Sequence, residues 1–194
     1  PSLLSLDFIS EKQFCLLLGH LGMITFLVFG LYFYQERLLI IDASYYSYNI
    51  LHTEDFFIPH YRYINYFNQW LPLLLMKMGV GLTGVLMGYS VSFILFYYAI
   101  FVILAHLFKN HKAALFMVLT LVLSCRFKHF MAVTETTNTL ALSFLFIGWV
   151  TRDHFLPYMH KPKELLTAFG LLLILQIGHP IIFLPLLSFM AFYM

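Results

Sequence analysis

An all-α fold, a polytopic transmembrane helical bundle of about five to six spans with amphipathic interfacial helices after the first, is what this chain predicts, and three observations predict it. The composition is 61% hydrophobic and only 10% charged, against about 25% charged residues in ordinary soluble domains, and the mean hydropathy is +0.84. The apolar residues are gathered into long runs joined by short polar connections. The one long departure, residues 42–81, places Asp42, Glu54, Asp55 and Arg62 among Tyr45, Tyr46, Tyr48, Phe56, Phe57, Tyr61, Tyr63, Tyr66, Phe67 and Trp70. Rings that are half solvated and half buried suit the boundary between lipid and water, so this segment is expected to lie on a membrane rather than across it.

The first span is read over Phe14 to Tyr34, apolar except for His20, Thr25 and three glycines, a length that as a helix matches a hydrocarbon core of about 30 Å. An ionisable group at the depth of His20 is a functional candidate. The simpler reading is a neutral imidazole hydrogen-bonded to a neighbouring helix. Gln35, Glu36 and Arg37 end the span, and a short apolar run leads to Asp42.

Two surface helices are expected in the aromatic segment. Asp42 is placed to cap the first, Ala43 to about His52, and Pro59 suits the first turn of the second, where its missing amide proton is not needed. In that second helix Arg62, Asn65 and Gln69 share one face and Tyr61, Ile64, Phe67 and Leu71 another, with the polar face expected to look into a cleft or into water. Pro72 interrupts the pattern.

A second span follows from about Leu82 to Phe108, then the basic turn Lys109, Asn110, His111 and Lys112. The runs Ala113 to Cys125 and Asn138 to Val150 are only about 20 Å long as helices, so each either extends or stops short of the far interface. Between them lie Arg126, Lys128, His129 and Glu135. A fifth run, Leu165 to Ile177, is broken by Gly178, His179 and Pro180, and a sixth continues to Met194. The chain starts at Pro1 and stops in mid-run, and is read as a single transmembrane domain, residues 1–194, from a longer protein.

Among the short connections, Lys12, Lys109, Lys112, Arg152, Lys161 and Lys163 fall on the amino-terminal side of the bundle and only Arg126 and Lys128 on the other. Basic residues in short loops mark the cytoplasmic side. The amino terminus is therefore expected in the cytoplasm, with residues 42–81, the Arg126 to Thr137 loop and the His179 turn sharing the extracytoplasmic face of a bacterial inner membrane or an ER-like membrane. A net charge of +2 with no basic stripe argues against nucleic acid as a partner. Cys15 and Cys125 both lie in apolar runs and offer neither a disulfide framework nor a zinc motif. No cleavable signal sequence is evident, and no dinucleotide, P-loop, HExxH or CxxC pattern occurs.

Chemistry is therefore argued from position. Glu54 and Asp55, with Asp42 upstream, can act as a base and its electrostatic partner, or hold a divalent cation through oxygen ligands. Which cofactor is used, if any, the residues leave open. Arg62, Arg126, Lys128, His129 and His179 supply the cations that a phosphorylated lipid headgroup needs. Each residue also has a structural reading: Asp42 as a helix cap, Glu54 and Asp55 as solvated loop residues, Arg126 and Lys128 as headgroup anchors.

The order of elements, one span, a long outer loop with an acid soon after it, interfacial helices, then paired spans with short inner turns, resembles the amino-terminal part of the C-type membrane glycosyltransferases that use polyprenyl-phosphate sugars. The resemblance is one of layout and covers nearly the whole chain, although the sequence carries no DxD. GHPIIFLPLL is similar to the small-residue, basic, proline turns that follow an inner span in such enzymes, with His179 where arginine often stands. The resemblance implies sugar transfer from a lipid-phosphate donor to an acceptor at the outer face. Asp42 or Asp55 would be the general base, Glu54 a helper or cation ligand, and Arg62, Arg126 and His179, with His129 and Glu135 nearby, would bind the donor. The alternative is a non-catalytic membrane subunit or transporter component whose aromatic segment docks a partner or lipid.

Overall fold

The computed structural model describes residues 10–123, 135–151 and 162–178, and among them every regular element is helical. The chain opens with α1, Glu11–Tyr32. Its start is set by a capping box: Ser10 Oγ accepts from the Gln13 amide at 3.3 Å while the Ser10 amide donates to Gln13 Oε1 at 3.0 Å, satisfying two of the donors that a helix start leaves open.

One face of α1 is buried through Cys15, Gly19, Met23, Phe26 and Gly30. The glycines permit close approach of the next long helix, since a Cβ on Gly19 would overlap the Phe101 ring and one on Gly30 would overlap Ile94. Small residues at such crossings are how apolar helices bring their backbones together. On the other side Leu17, Leu21, Ile24, Val28 and Leu31 form an exposed apolar stripe.

After α2, Tyr34–Leu38, and α3, Ile41–Thr53, the chain makes two 3₁₀ turns, Pro59–Tyr61 and Tyr63–Asn65, and enters α4, Tyr66–Lys77. The expected capping by Asp42 does not occur. Ile40 holds the N-cap position with no side-chain bond, and Asp42 sits in the first turn, where a carboxylate still opposes the helix dipole. Pro72 does not end α4 but lies inside it and is buried. The expected division of the second surface helix into two faces holds only in part: Asn65, Asn68 and Gln69 are buried, but so is Ile64 from the apolar face, while Tyr61, Phe67 and Trp70 are exposed. This segment packs against the long helix that follows, with Phe67 lying beside Phe96 at 5.2 Å between ring centres.

That helix, α5, runs Leu82–Val102 and continues through a π turn, Ile103–Leu107. It is the element against which α1, α2, α4, α6 and α7 all pack. Here α6 is His111–Leu123, α7 is Glu135–Val150 and α8 is Pro162–Gly178. Phe101 and Leu104 from the α5 region, Met117 from α6, Ala141 from α7 and Leu175 from α8 meet in the main core. A second core of Leu38, Tyr46, Ile50, Leu73, Tyr89 and Phe93 lies under the aromatic segment.

Two of the expected spans, Glu11–Tyr32 and Leu82–Leu107, are long and apolar enough to cross a membrane; His111–Leu123 and Asn138–Val150 are shorter apolar helices, as their sequence lengths required. The sixth run lies outside the described residues.

Candidate functional site

The aromatic segment is built on a buried cation. Arg37, 1% exposed, donates from Nε to Ser90 Oγ at 2.8 Å and from a terminal nitrogen to the Ser90 carbonyl at 3.3 Å. Ser90 Oγ donates onward to the Gly30 carbonyl at 2.7 Å. The end of α1, all of α2 and the middle of α5 are thereby tied together five residues before Asp42. A guanidinium keeps its charge when buried and presents several donors in a fixed plane, which suits it to this role.

A second clip holds the far side. Gln69 Oε1 accepts from the Phe57 amide at 2.8 Å and Gln69 Nε2 donates to the Phe57 carbonyl at 2.7 Å. This pairs the extended stretch after α3 with α4. Phe57 then meets Tyr45 and Tyr46 edge-on, with ring centres 5.3 and 6.0 Å apart, and Phe56 meets Tyr66 at 4.8 Å.

On this platform Asp42, Glu54 and Asp55 are all exposed. Asp42 lies in the first turn of α3 and Glu54 just past its end, about 18 Å away along the helix, so Asp42 is not brought beside the Glu54–Asp55 pair. Glu54 takes the left-handed conformation that closes α3, φ 53°, with its amide bonded to the Ile50 carbonyl at 3.0 Å. Asp55 Oδ1 accepts from the Phe56 amide at 2.7 Å, and Thr53 Oγ1 accepts from the Asp55 amide at 3.4 Å. The pair shapes a turn. Arg62 is half-buried between the two 3₁₀ turns.

Asn110 fixes which end of the bundle is which. Its side chain accepts from the Ala113 amide at 3.1 Å and donates to the Gly148 carbonyl at 3.2 Å and to Thr151 Oγ1 at 2.9 Å, so the carboxy-terminal end of α7 sits at the turn between α5 and α6. The amino-terminal end of α7 therefore lies at the other end, where the Tyr63–Asn65 turn packs on it. Glu135 opens that helix. Its side chain, and Arg126, Lys128, His129 and His179, lie outside the described residues. Buried polar groups gather at this end too: Asn68 and Asn138 are fully buried, and neither end of either amide has a hydrogen-bond partner.

Sequence reasoning passed over Arg37 and His106. The signal for Arg37 was a lone basic residue followed by four apolar ones. For His106 it was the same rule that picked out His20, an ionisable side chain inside an apolar run. The two histidines meet: His20 Nδ1 is 2.8 Å from Tyr98 Oη, and His20 Nε2 is 3.4 Å from His106 Nε2. Among the described residues no group of three or more His, Cys, Asp or Glu is placed to hold a metal ion.

Fold and site together define an all-helical protein with two helices of membrane-crossing length and an aromatic platform, held by a buried arginine, at one end. No protein-family model, curated protein or solved structure matches this chain.

Proposed function

We propose that the chain is a polytopic membrane protein of five to six spans that transfers a sugar from a polyprenyl-phosphate donor at its extracytoplasmic end, with Asp42 as the general base. The observation that carries this reading is the placing of Asp42: an exposed carboxylate in the first turn of α3, five residues after a buried, hydrogen-bonded arginine. A base must be held still and yet reach its proton. Arg62, half-buried on the same platform, is suited to the donor phosphate, and Arg126, His129 and His179 belong to loops proposed for the same face. The exposed apolar stripe of α1 and the exposed aromatics Tyr61, Phe67 and Trp70 before Pro72 both suit contact with lipid.

The test is transfer from a polyprenyl-phosphate sugar by the protein in nanodiscs. Asp42→Asn is expected to lower the rate by roughly 10²- to 10⁴-fold. Glu54→Gln and Asp55→Asn, which alter a turn, should be mild. Transfer at the parental rate by Asp42→Asn ends the enzymatic reading.

A second reading is favoured by the separation of the acids along α3: a non-catalytic membrane subunit or transporter component whose exposed aromatics, Tyr61, Tyr66 and Trp70 among them, dock a partner or lipid. On that reading all three acid substitutions are mild and Trp70→Ala weakens association.

A further inference from the structure

In the half of the bundle away from the aromatic platform, we infer that His20 and His106 form a binding site for a divalent transition-metal ion of the zinc, copper or nickel class. The inference is independent of the glycosyltransferase reading. The two Nε2 atoms face each other at 3.4 Å. For comparison, N–H···O bonds are commonly shorter, about 2.7–3.2 Å. Two imidazole nitrogens bound to one tetrahedral ion at about 2.0–2.1 Å stand about 3.3–3.4 Å apart by trigonometry.

One of the two tautomers that the Tyr98 hydroxyl can accommodate suits a metal. With His20 Nδ1–H donating to Tyr98 Oη over 2.8 Å, the lone pair of His20 is left on Nε2, aimed at His106. Metal-binding histidines are held in this way by an acceptor on the other ring nitrogen. The His20 ring is fixed further by edge contacts with Phe101 and Tyr98, ring centres 4.9 and 5.7 Å away. Phe101 is itself completely buried.

His106 is delivered by the π turn at the end of α5. One extra residue in a helical turn swings the side chains after it, and such turns recur at functional sites. Here His106 reaches across to α1 from the last turn of the Leu82–Leu107 apolar run, so an ion would enter from the interface at that end of the span. Imidazole nitrogens suit zinc, copper and nickel, whereas magnesium and calcium prefer oxygen. With two protein ligands, water completes the coordination and the ion exchanges.

The test is Zn²⁺ titration of the full chain in detergent, without a histidine tag, against a chromophoric indicator. One equivalent is expected to bind. His106→Gln, at an exposed position and so tolerated by the fold, should weaken it at least tenfold, roughly the lower bound for disturbing a metal's surroundings. His20→Gln should do the same, Tyr98→Phe should weaken it about tenfold by freeing the tautomer, and His52→Gln, a surface histidine on α3, should leave it unchanged. Circular dichroism confirms that each variant is folded. No binding by the parent chain, or equal binding by His106→Gln, overturns the site and assigns the histidine pair to a shared proton.

Discussion

Arg37 is the side chain whose loss has the widest reach. Its guanidinium is out of contact with solvent and bonds both polar atoms of Ser90 that face it. Arg37→Leu fills part of the volume but leaves the Ser90 carbonyl without that donor, so a loss of about 2–4 kcal/mol is expected, read as a lowered unfolding midpoint in detergent. Arg37→Lys should recover little, because an ammonium cannot reproduce two donors set in one plane. Recovery of the full midpoint by lysine would mean that charge alone matters. His111, in the basic turn, is a second case. Burial first, then Lys12 and then His106 hold its pKa below the ordinary value. A depressed pKa means that the unfolded chain takes up the proton more readily. The contribution is present above about pH 6.5 and is lost as pH falls through the lower folded value. Stability should decline on acidification from pH 7 to 5, and His111→Gln should flatten that decline.

Among the elements, the crossing of α1 and α5 depends on having no side chain at Gly19. Gly19→Val would drive methyl groups into Phe101, which is buried and has no free space to turn into. Overpacking of this kind costs typically about 1–3 kcal/mol. Loss of helical cooperativity in Gly19→Val, with Gly79→Ala as a contrast that strains a φ of 73° but meets nothing within 4 Å, would separate packing from backbone effects. The long helices themselves were legible from their apolar runs, because run length is what decides whether a helix can bury or span. The 59–77 stretch was not. Its polar face at Asn65 and Gln69 was correctly placed on one side, but which side is buried depends on what lies opposite, and here α5 and the Phe57 backbone lie opposite. Asp42 was likewise read as a cap from its residue type, whereas the chain enters α3 two residues earlier than that reading required. Glu54 and Asp55 were legible as a pair, but not as the residues that close and shape the turn after α3, since a left-handed glutamate leaves no mark in sequence.

Over the whole molecule, α1 separates two ends of different chemistry. Glu11 pairs with Lys112 at 3.0 Å between exposed side chains, so the start of α1 and the start of α6 share one end; His111 and Asn110 are there as well. Arg37, Asp42 and the aromatic platform follow the other end of α1. Basic residues in short loops concentrate at the first end, and such loops are retained in the cytoplasm. A cysteine at Thr53, exposed at the close of α3, is therefore expected to react with a membrane-impermeant maleimide added to intact cells. One at Lys109, exposed in the turn after the π segment, should react only after the membrane is opened. Cys15→Ser and Cys125→Ser provide the cysteine-free background. Both sites reacting from the same side would contradict the separation that α1 imposes if it spans. Reaction in the reverse order would keep the bundle but turn the platform to the cytoplasm, and a sugar donor would then have to be met on that side.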